Sequence, residues 1–337
     1  MHGNSEILLK AGLLAAVQHD PSLTVSWIHV PSVVIPRNAK HHRAEGDIIP
    51  DRSDEYTGNH NGVASTENQR TDMDDREAAF EAVMEADALI IATPIYSHSP
   101  AGSLKALQDA ILGPFADTSE QHRTHERQKA GDTKVQGVVV DPRAIKPRFA
   151  AFIAVAGSRS RFPEQWTLAL PSLHQFTYAL HCKVVDMFVF PGFAHAGSVL
   201  TDSGAMARAS KIGSNVASQI GRAFDNANYL GPEEDGSCPY CHLLKFEFQG
   251  SEHRIRCITC GACGELETRA DGRVRPIWDE DSDVSCLTLR GKWQHMDDIA
   301  ERLATEREKL PMVAAEMERW KTVDLPVVVL PSQRAIQ

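Results

Sequence analysis

The stretch from Ala86 to Asp109, ADALIIATPIYSHSPAGSLKALQD, constrains the fold more than any other part of this chain, because a strand, a loop and a helix follow one another in it. Ala88 to Ala92 is apolar without alternation, the pattern of a parallel strand covered on both faces. Thr93, Pro94, Ile95 and Tyr96 break the run, and Ser97, Ser99 and Pro100 keep a helix from starting before Ala101. The loop therefore lies at the carboxyl end of a strand, where open α/β sheets bind ligands. A proline of fixed φ beside a flat aromatic suits a planar ring whose edge meets backbone amides.

The rest of the chain extends this into a doubly wound α/β pattern. A helix over Ser5–Gln18 and a strand over Thr24–Val30 give a first crossover, and helices follow at Arg76–Ala86 and 101–112. Phe149–Ala156 is a second apolar strand, ending in Gly157, Ser158, Arg159, Ser160 and Arg161. A helical run over Trp166–Leu180, a strand over Lys183–Phe190 and a helix over Ser203–Asn228 complete the alternation. Two polar excursions, 37–72 and 113–148, interrupt it, the second with a candidate strand at Val135–Val140. The domain organisation expected is 1–230 for the α/β domain, 231–275 for a small cysteine-bearing module and 276–337 for a helical tail with a terminal apolar strand.

Composition narrows the functional class. A chain of 337 residues with 42% hydrophobic and 24% charged content has the balance of a soluble globular protein. No apolar run approaches the roughly 18 to 20 residues of a membrane span, and no basic segment followed by an apolar core marks a secretion signal, so a cytoplasmic location is expected. The formal charge of -10 disfavours general attraction to a nucleic-acid backbone. His122 and His125, among Arg123, Arg127 and Lys129, have no partners to complete a metal site and read as a solvated insertion.

With Thr93, Pro94 and Tyr96, then Leu104, Lys105, Ala106, Leu107 and Asp109, the chain resembles the flavodoxin-like NAD(P)H-dependent FMN reductases, including their iron-sulfur flavoprotein branch. That family carries an apolar strand, (S/T)-P-x-Y, a polar loop and an L-K-A-(F/L)-x-D helix. Gly3 to Leu9 resembles the end of the family's phosphate loop, and the glycine-rich turn at Gly157 resembles the loop bordering its isoalloxazine ring. The resemblance covers roughly the first 230 residues. It implies FMN and NAD(P)H as cofactors and a homodimer or homotetramer. It also implies flavin contacts from Asn4, Ser5, Thr93, Pro94, Ile95, Tyr96, Ser97, Gly157, Ser158 and Arg159. His98 is the implied proton-transfer residue. Arg159 is the implied cation near N1 of the ring, while Arg159 and Arg161 suit equally the 2'-phosphate of NADPH or a place in solvent. The family's first, central strand of a 2-1-3-4-5 sheet has no counterpart after Met1. Three arrangements would repair the sheet: a longer natural N-terminus, neighbouring strands that close up, or entry of the apolar segment Leu325–Leu330 into the slot.

Cys238-x2-Cys241 and Cys257-x2-Cys260 form the second strong signal. Each C-x2-C pair bends into a knuckle, and a hairpin over Leu243–Arg256 brings the two together, as in a zinc ribbon closed by four sulfurs. Cys263 adds a fifth thiol and keeps an iron-sulfur cluster open as an alternative. Cys182 and Cys286 read as buried apolar residues. The function expected is an FMN-dependent NAD(P)H oxidoreductase that passes hydride or electrons through flavin N5 to a small oxidised acceptor such as a quinone or nitroaromatic. The alternative is a degenerate flavodoxin-like domain that uses its zinc ribbon to bind a partner without catalysis.

Overall fold

The apolar runs form a parallel sheet in the computed structural model, which describes residues 3–36, 74–112, 118–250, 253–280 and 285–323. Strands β1 (Ala88–Tyr96), β2 (Ser99–Pro100), β3 (Arg148–Val155) and β4 (Cys182–Phe190) lie in the order β2-β1-β3-β4. β1 pairs with β3 from Ala88↔Phe149 to Pro94↔Val155, and β3 pairs with β4 from Arg148↔Cys182 to Val155↔Phe190, both parallel. Every residue of β3 is buried, as a strand paired on both sides and covered on both faces must be.

Alternation divides the apolar residues of β3 between two layers. Phe149, Ala151, Ile153 and Val155 join Leu8, Ala209, Ile212 and Val216 from helices α1 (Asn4–His19) and α6 (Ser203–Ala217). Ala150, Phe152 and Ala154 join residues of α2 (Arg76–Glu85), α3 (Gly102–Ile111) and α5 (Ala169–Tyr178) on the other face. On the first face the backbones of α1 and α6 touch at two glycines: a Cβ at Gly213 would lie 1.8 Å from the Gly12 carbonyl oxygen, so no side chain fits there. Behind β4, Asp186 is fully buried and accepts hydrogen bonds from Arg208 Nη1 at 2.9 Å and Asn215 Nδ2 at 2.7 Å, which compensates its charge.

The second sheet is antiparallel, in the order β5-β6-β7-β8 (Phe246–Phe248, Arg254–Cys257, Cys263–Thr268, Val274–Trp278). It belongs to the same compact unit, Met1–Trp293, as the parallel sheet. Tyr178 on α5 donates its hydroxyl to the Thr259 carbonyl. Tyr229 stacks on His242 at 3.9 Å, and Lys245 Nζ donates to Thr167 Oγ1 at 3.0 Å. The insertion after α3 contributes α4 (Thr118–Lys129), which carries His122 against the Trp293 ring at 5.5 Å. The second unit, Gln294–Gln337, contains most of α7 (Leu289–Lys309) and all of α8 (Ala314–Lys321).

Three sequence expectations are corrected. Thr24–Val30 does not form a strand; it runs as exposed irregular chain into a 3-10 turn at Val30–Ser32. Its composition suits a strand, but a strand needs a neighbour to pair with, and among the described residues none lies along the outer edge of β1 over Ala88–Pro94. The same open edge leaves β1 only half-buried. Val135–Val140 also forms no strand, with a 3-10 turn at Thr133–Val135 in its place, closed by Asp132 capping Lys134 N–H. The helix expected over Ser203–Asn228 stops at Ala217, because the chain turns through Gly221 at φ 83°, a left-handed conformation that cannot continue a helix. The apolar segment Leu325–Leu330 and most of the 37–72 excursion lie outside the described residues.

Candidate functional site

Two places in the first unit gather chemistry. At the first, Cys238, Cys241, Cys257 and Cys260 are all buried, and their sulfurs lie within 4.8 Å of one another. Cys238 and Cys260 Sγ are 3.6 Å apart, and Cys241 and Cys257 Sγ are 3.4 Å apart. Four sulfurs held at about 2.3 Å around a tetrahedral ion stand about 3.8 Å from one another, so the cage has the size a zinc ion needs. The knuckles explain the convergence: the Cys257 carbonyl accepts the Gly261 N–H at 2.9 Å and the Cys238 carbonyl accepts the His242 N–H at 2.8 Å, each folding one C-x2-C pair back on itself. His242, at φ 59°, turns the first knuckle, as Gly261, at φ 80°, turns the second. Cys263 stands outside the four, half-buried at the start of β7. Next to the cage, His174 is fully buried against Phe152, and burial pushes its pKa down to about 3, so the ring is neutral.

The second place is a cavity of about 530 Å³ at the carboxyl ends of β1 and β3. Five separate segments wall it: the start of α1, residues 27–31, the end of β1, and the loops at 157 and 193–196. α1 presents its N-terminus, whose first-turn amides have no partners within the helix. The opposite wall is apolar, from Pro94, Ile95, Val155 and Phe193. Tyr96, at the rim, is 65% exposed and therefore available to a ligand.

The structure divides the sequence-derived cofactor residues into two sets. Ser5, Pro94, Ile95, Tyr96 and Gly157 line the cavity directly. Asn4 also lines it, but its side chain is committed elsewhere: Nδ2 donates to the carbonyls of Phe193 at 3.1 Å and His195 at 2.8 Å, and Oδ1 accepts the Val199 N–H at 3.3 Å. Thr93 turns into the protein, 1% exposed, and its hydroxyl accepts the Ala101 N–H at 3.1 Å, which ties β1 to the start of α3. Ser97 and His98, at φ 48° and 72°, form the two-residue turn between β1 and β2. Positive φ at both positions is the requirement of a type I′ hairpin, so the pair sets the direction of Tyr96 at a cost of about 1 kcal/mol for each non-glycine residue. His98 Nδ1 meets the Glu164 carbonyl at 2.8 Å, which pins the hairpin tip to the loop after β3 and leaves His98 off the cavity wall. Ser158 and Arg159 also stand off the wall, their carbonyls accepting the N–H groups of Gly192 at 2.7 Å and Phe162 at 3.0 Å.

Sequence reasoning missed two of the five walls. Trp27, Ile28, His29, Val30 and Pro31 lie just after the expected strand at Thr24–Val30 and within it, and Phe193, Ala194 and Ala196 follow β4. Their signal was positional: 193–196 follows β4 directly and 27–31 closes the expected strand, the places where loops of this fold class converge.

Comparison with known proteins agrees with this geometry. The family described as NADPH-dependent FMN reductase matches residues 34–161. A curated relative, flavone synthase cfoJ of Aspergillus candidus, is 33% identical over 263 residues, which are 77% of this chain and 77% of that protein. A solved structure named as a flavone reductase superposes with a TM-score of 0.72 at 22% identity, covering 97% of this chain and 96% of that one, so the likeness of fold extends through the cysteine-bearing sheet.

Proposed function

The chain belongs to the NADPH-dependent FMN reductase family, and from that premise we propose that it binds FMN in the cavity and exchanges hydride between NAD(P)H and a planar, oxygenated aromatic substrate of the flavonoid class. The observation that carries the reading is the cavity itself: the matched family segment supplies its Pro94–Tyr96 wall and its Gly157 corner. The substrate class follows from the relative named for a flavone, and replaces the broader quinone or nitroaromatic acceptor as the first compound to try.

The residues present fit a flavin. Apolar side chains wall the space that a flat ring needs, and Gly157 adds no side chain at one corner, where a Cβ would stand 3.7 Å from Ala194. The N-terminus of α1, a helix of 16 residues, gives first-turn amides and a positive dipole end to the phosphate. FMN, when bound, supplies reversible two-electron hydride chemistry, and the chain supplies position and electrostatics. Ser5 would offer a hydroxyl to the ribityl phosphate, and Pro94, Ile95 and Tyr96 would hold the ring. Tyr96 flanks the substrate at the open rim, set in place by the Ser97–His98 turn.

The cysteine cage fits zinc by the same test, with four buried thiols at the right separation and no fifth ligand position. Zinc there holds the second sheet together and takes no part in the redox chemistry. The sulfur separations favour this reading over the iron-sulfur alternative, because sulfurs 3.4 and 3.6 Å apart leave room for one ion and not for a cluster.

An absorption spectrum of the purified chain with added FMN, together with elemental analysis, tests both assignments. Flavin bands that bleach on adding NADPH or NADH and return with a flavone, alongside one zinc per chain, are the expected result. A chain that holds zinc but neither retains FMN nor consumes a nicotinamide would overturn the enzyme and leave the partner-binding alternative.

A further inference from the structure

His98 was the expected proton-transfer residue, yet its ring is tied to the Glu164 carbonyl at the hairpin tip, off the cavity wall. Among the described residues, the titratable side chains that line the cavity are Glu6, His29 and Tyr96. Glu6 is engaged with Lys10 in an ion pair one turn along α1. Tyr96, 65% exposed at the open rim, is placed to flank a substrate rather than to shuttle protons. An imidazole is matched to that task.

His29 is also held as a working group should be. Its carbonyl accepts the Ser32 N–H at 2.9 Å, closing the 3-10 turn, and its Nδ1 meets Ser32 Oγ at 2.6 Å. One residue thus fixes both the backbone and the ring, which leaves Nε2 for a ligand. Trp27 meets the ring edge-on at 5.9 Å, and Lys10 Nζ lies over Trp27 at 4.9 Å. The ring is exposed, so it exchanges protons with solvent between turnovers. The charged or titratable groups around it are Glu6 and Lys10 from α1 and Tyr96 from β1, while the cavity wall at 193–196 contributes only Phe193, Ala194 and Ala196.

We propose that His29 is the catalytic acid-base residue of the cavity, with Ser32 as the positioning residue that orients its ring. The inference rests on the proposed flavin-dependent activity. In the reducing direction, one double bond of the flavonoid gains a hydride at one end and a proton at the other. The hydride comes from the reduced cofactor, which is oxidised; the proton comes from Nε2 of protonated His29, which water then reprotonates. In the oxidising direction the same nitrogen takes the proton as hydride leaves for the oxidised cofactor.

The test separates the two half-reactions on the full chain loaded with FMN, using stopped-flow absorbance with NADPH and then with a simple flavone such as apigenin. His29→Gln should slow the flavone step roughly 100-fold, the usual size of a lost general acid, and leave flavin reduction by NADPH within about twofold. Imidazole added to the buffer should restore part of that step, and Ser32→Ala should slow it less, roughly tenfold. A readout that needs no turnover is the ¹⁵N-histidine NMR spectrum of the flavin-free chain, in which His29 ring signals should move on adding apigenin. Unchanged flavone kinetics in His29→Gln, or equal losses in both half-reactions with weaker FMN binding, would overturn the assignment. A wild-type chain whose flavin is not reduced by NADPH would overturn the proposed function itself, and this inference with it.

Discussion

The cysteine cage and the flavin cavity lie in one compact unit, yet they are built in opposite ways. The cage takes four like atoms from two short knuckles, buries all of them and closes on itself. The cavity takes unlike atoms from five segments spread from residue 3 to residue 196 and stays open to solvent. The difference teaches where each kind of chemistry can reside. A closed, symmetric set holds an ion and stabilises a fold, while an open, asymmetric one admits a substrate and lets protons in and out.

The sharpest way to break the comparison is to open the cage. Cys241→Ser should abolish stoichiometric zinc and unfold the second sheet, seen as lost metal in elemental analysis and a lowered melting temperature, since structural zinc can contribute on the order of 10 kcal/mol to a small fold. If zinc and melting temperature both survive, the cage is not what holds this region. The next largest effect should come from a site that touches neither centre. Gly213→Val would drive side-chain atoms into the Gly12 carbonyl and cost about 3 kcal/mol or more in urea unfolding, moving α1 and therefore one wall of the cavity while leaving zinc content intact.

At the cavity, Gly157→Val adds bulk to a corner where Cβ itself meets no clash, so FMN affinity should fall roughly tenfold by fluorescence titration with stability almost unchanged. Equal FMN affinity would move the ring away from that corner. The last effect concerns pH and is confined to acid. His181 stacks on Phe224 at 3.9 Å, and burial, with help from Lys292 and His122, pushes its pKa down to about 4. The unfolded chain binds this proton at about pH 6.5 and the folded chain does not, so stability is lost as pH falls from there toward 4, by at most about 3 kcal/mol. His181→Phe should flatten that part of the stability profile and leave both centres loaded at neutral pH.

How legible the two centres were in the sequence follows from the same contrast. A C-x2-C knuckle is local, so spacing alone placed Cys238, Cys241, Cys257 and Cys260 together. The β1 segment was nearly as clear, because a strand, its loop and the next helix are contiguous, and the resemblance it carried pointed to the right family. The walls at 27–31 and 193–196 were not legible, since nothing within either segment says what lies opposite. Thr24–Val30 shows why pattern is insufficient: its residues suit a strand, but pairing depends on a neighbour that the segment itself cannot specify. Thr93 and His98 fit a family motif by residue type, while their directions depend on the hairpin turn, which puts one into the core and the other on the Glu164 carbonyl.

The Asn4 carboxamide has a consequence for the order of assembly. Its bonds to Phe193 and His195 join positions separated by 189 and 191 residues. Closing so long a loop costs chain entropy before any contact repays it, and contacts of such separation form late. The floor of the cavity is therefore completed only after both ends of the α/β domain have found each other. In refolding, recovery of far-UV circular dichroism should precede the capture of FMN, and Asn4→Ala should widen that delay more than it lowers the final yield.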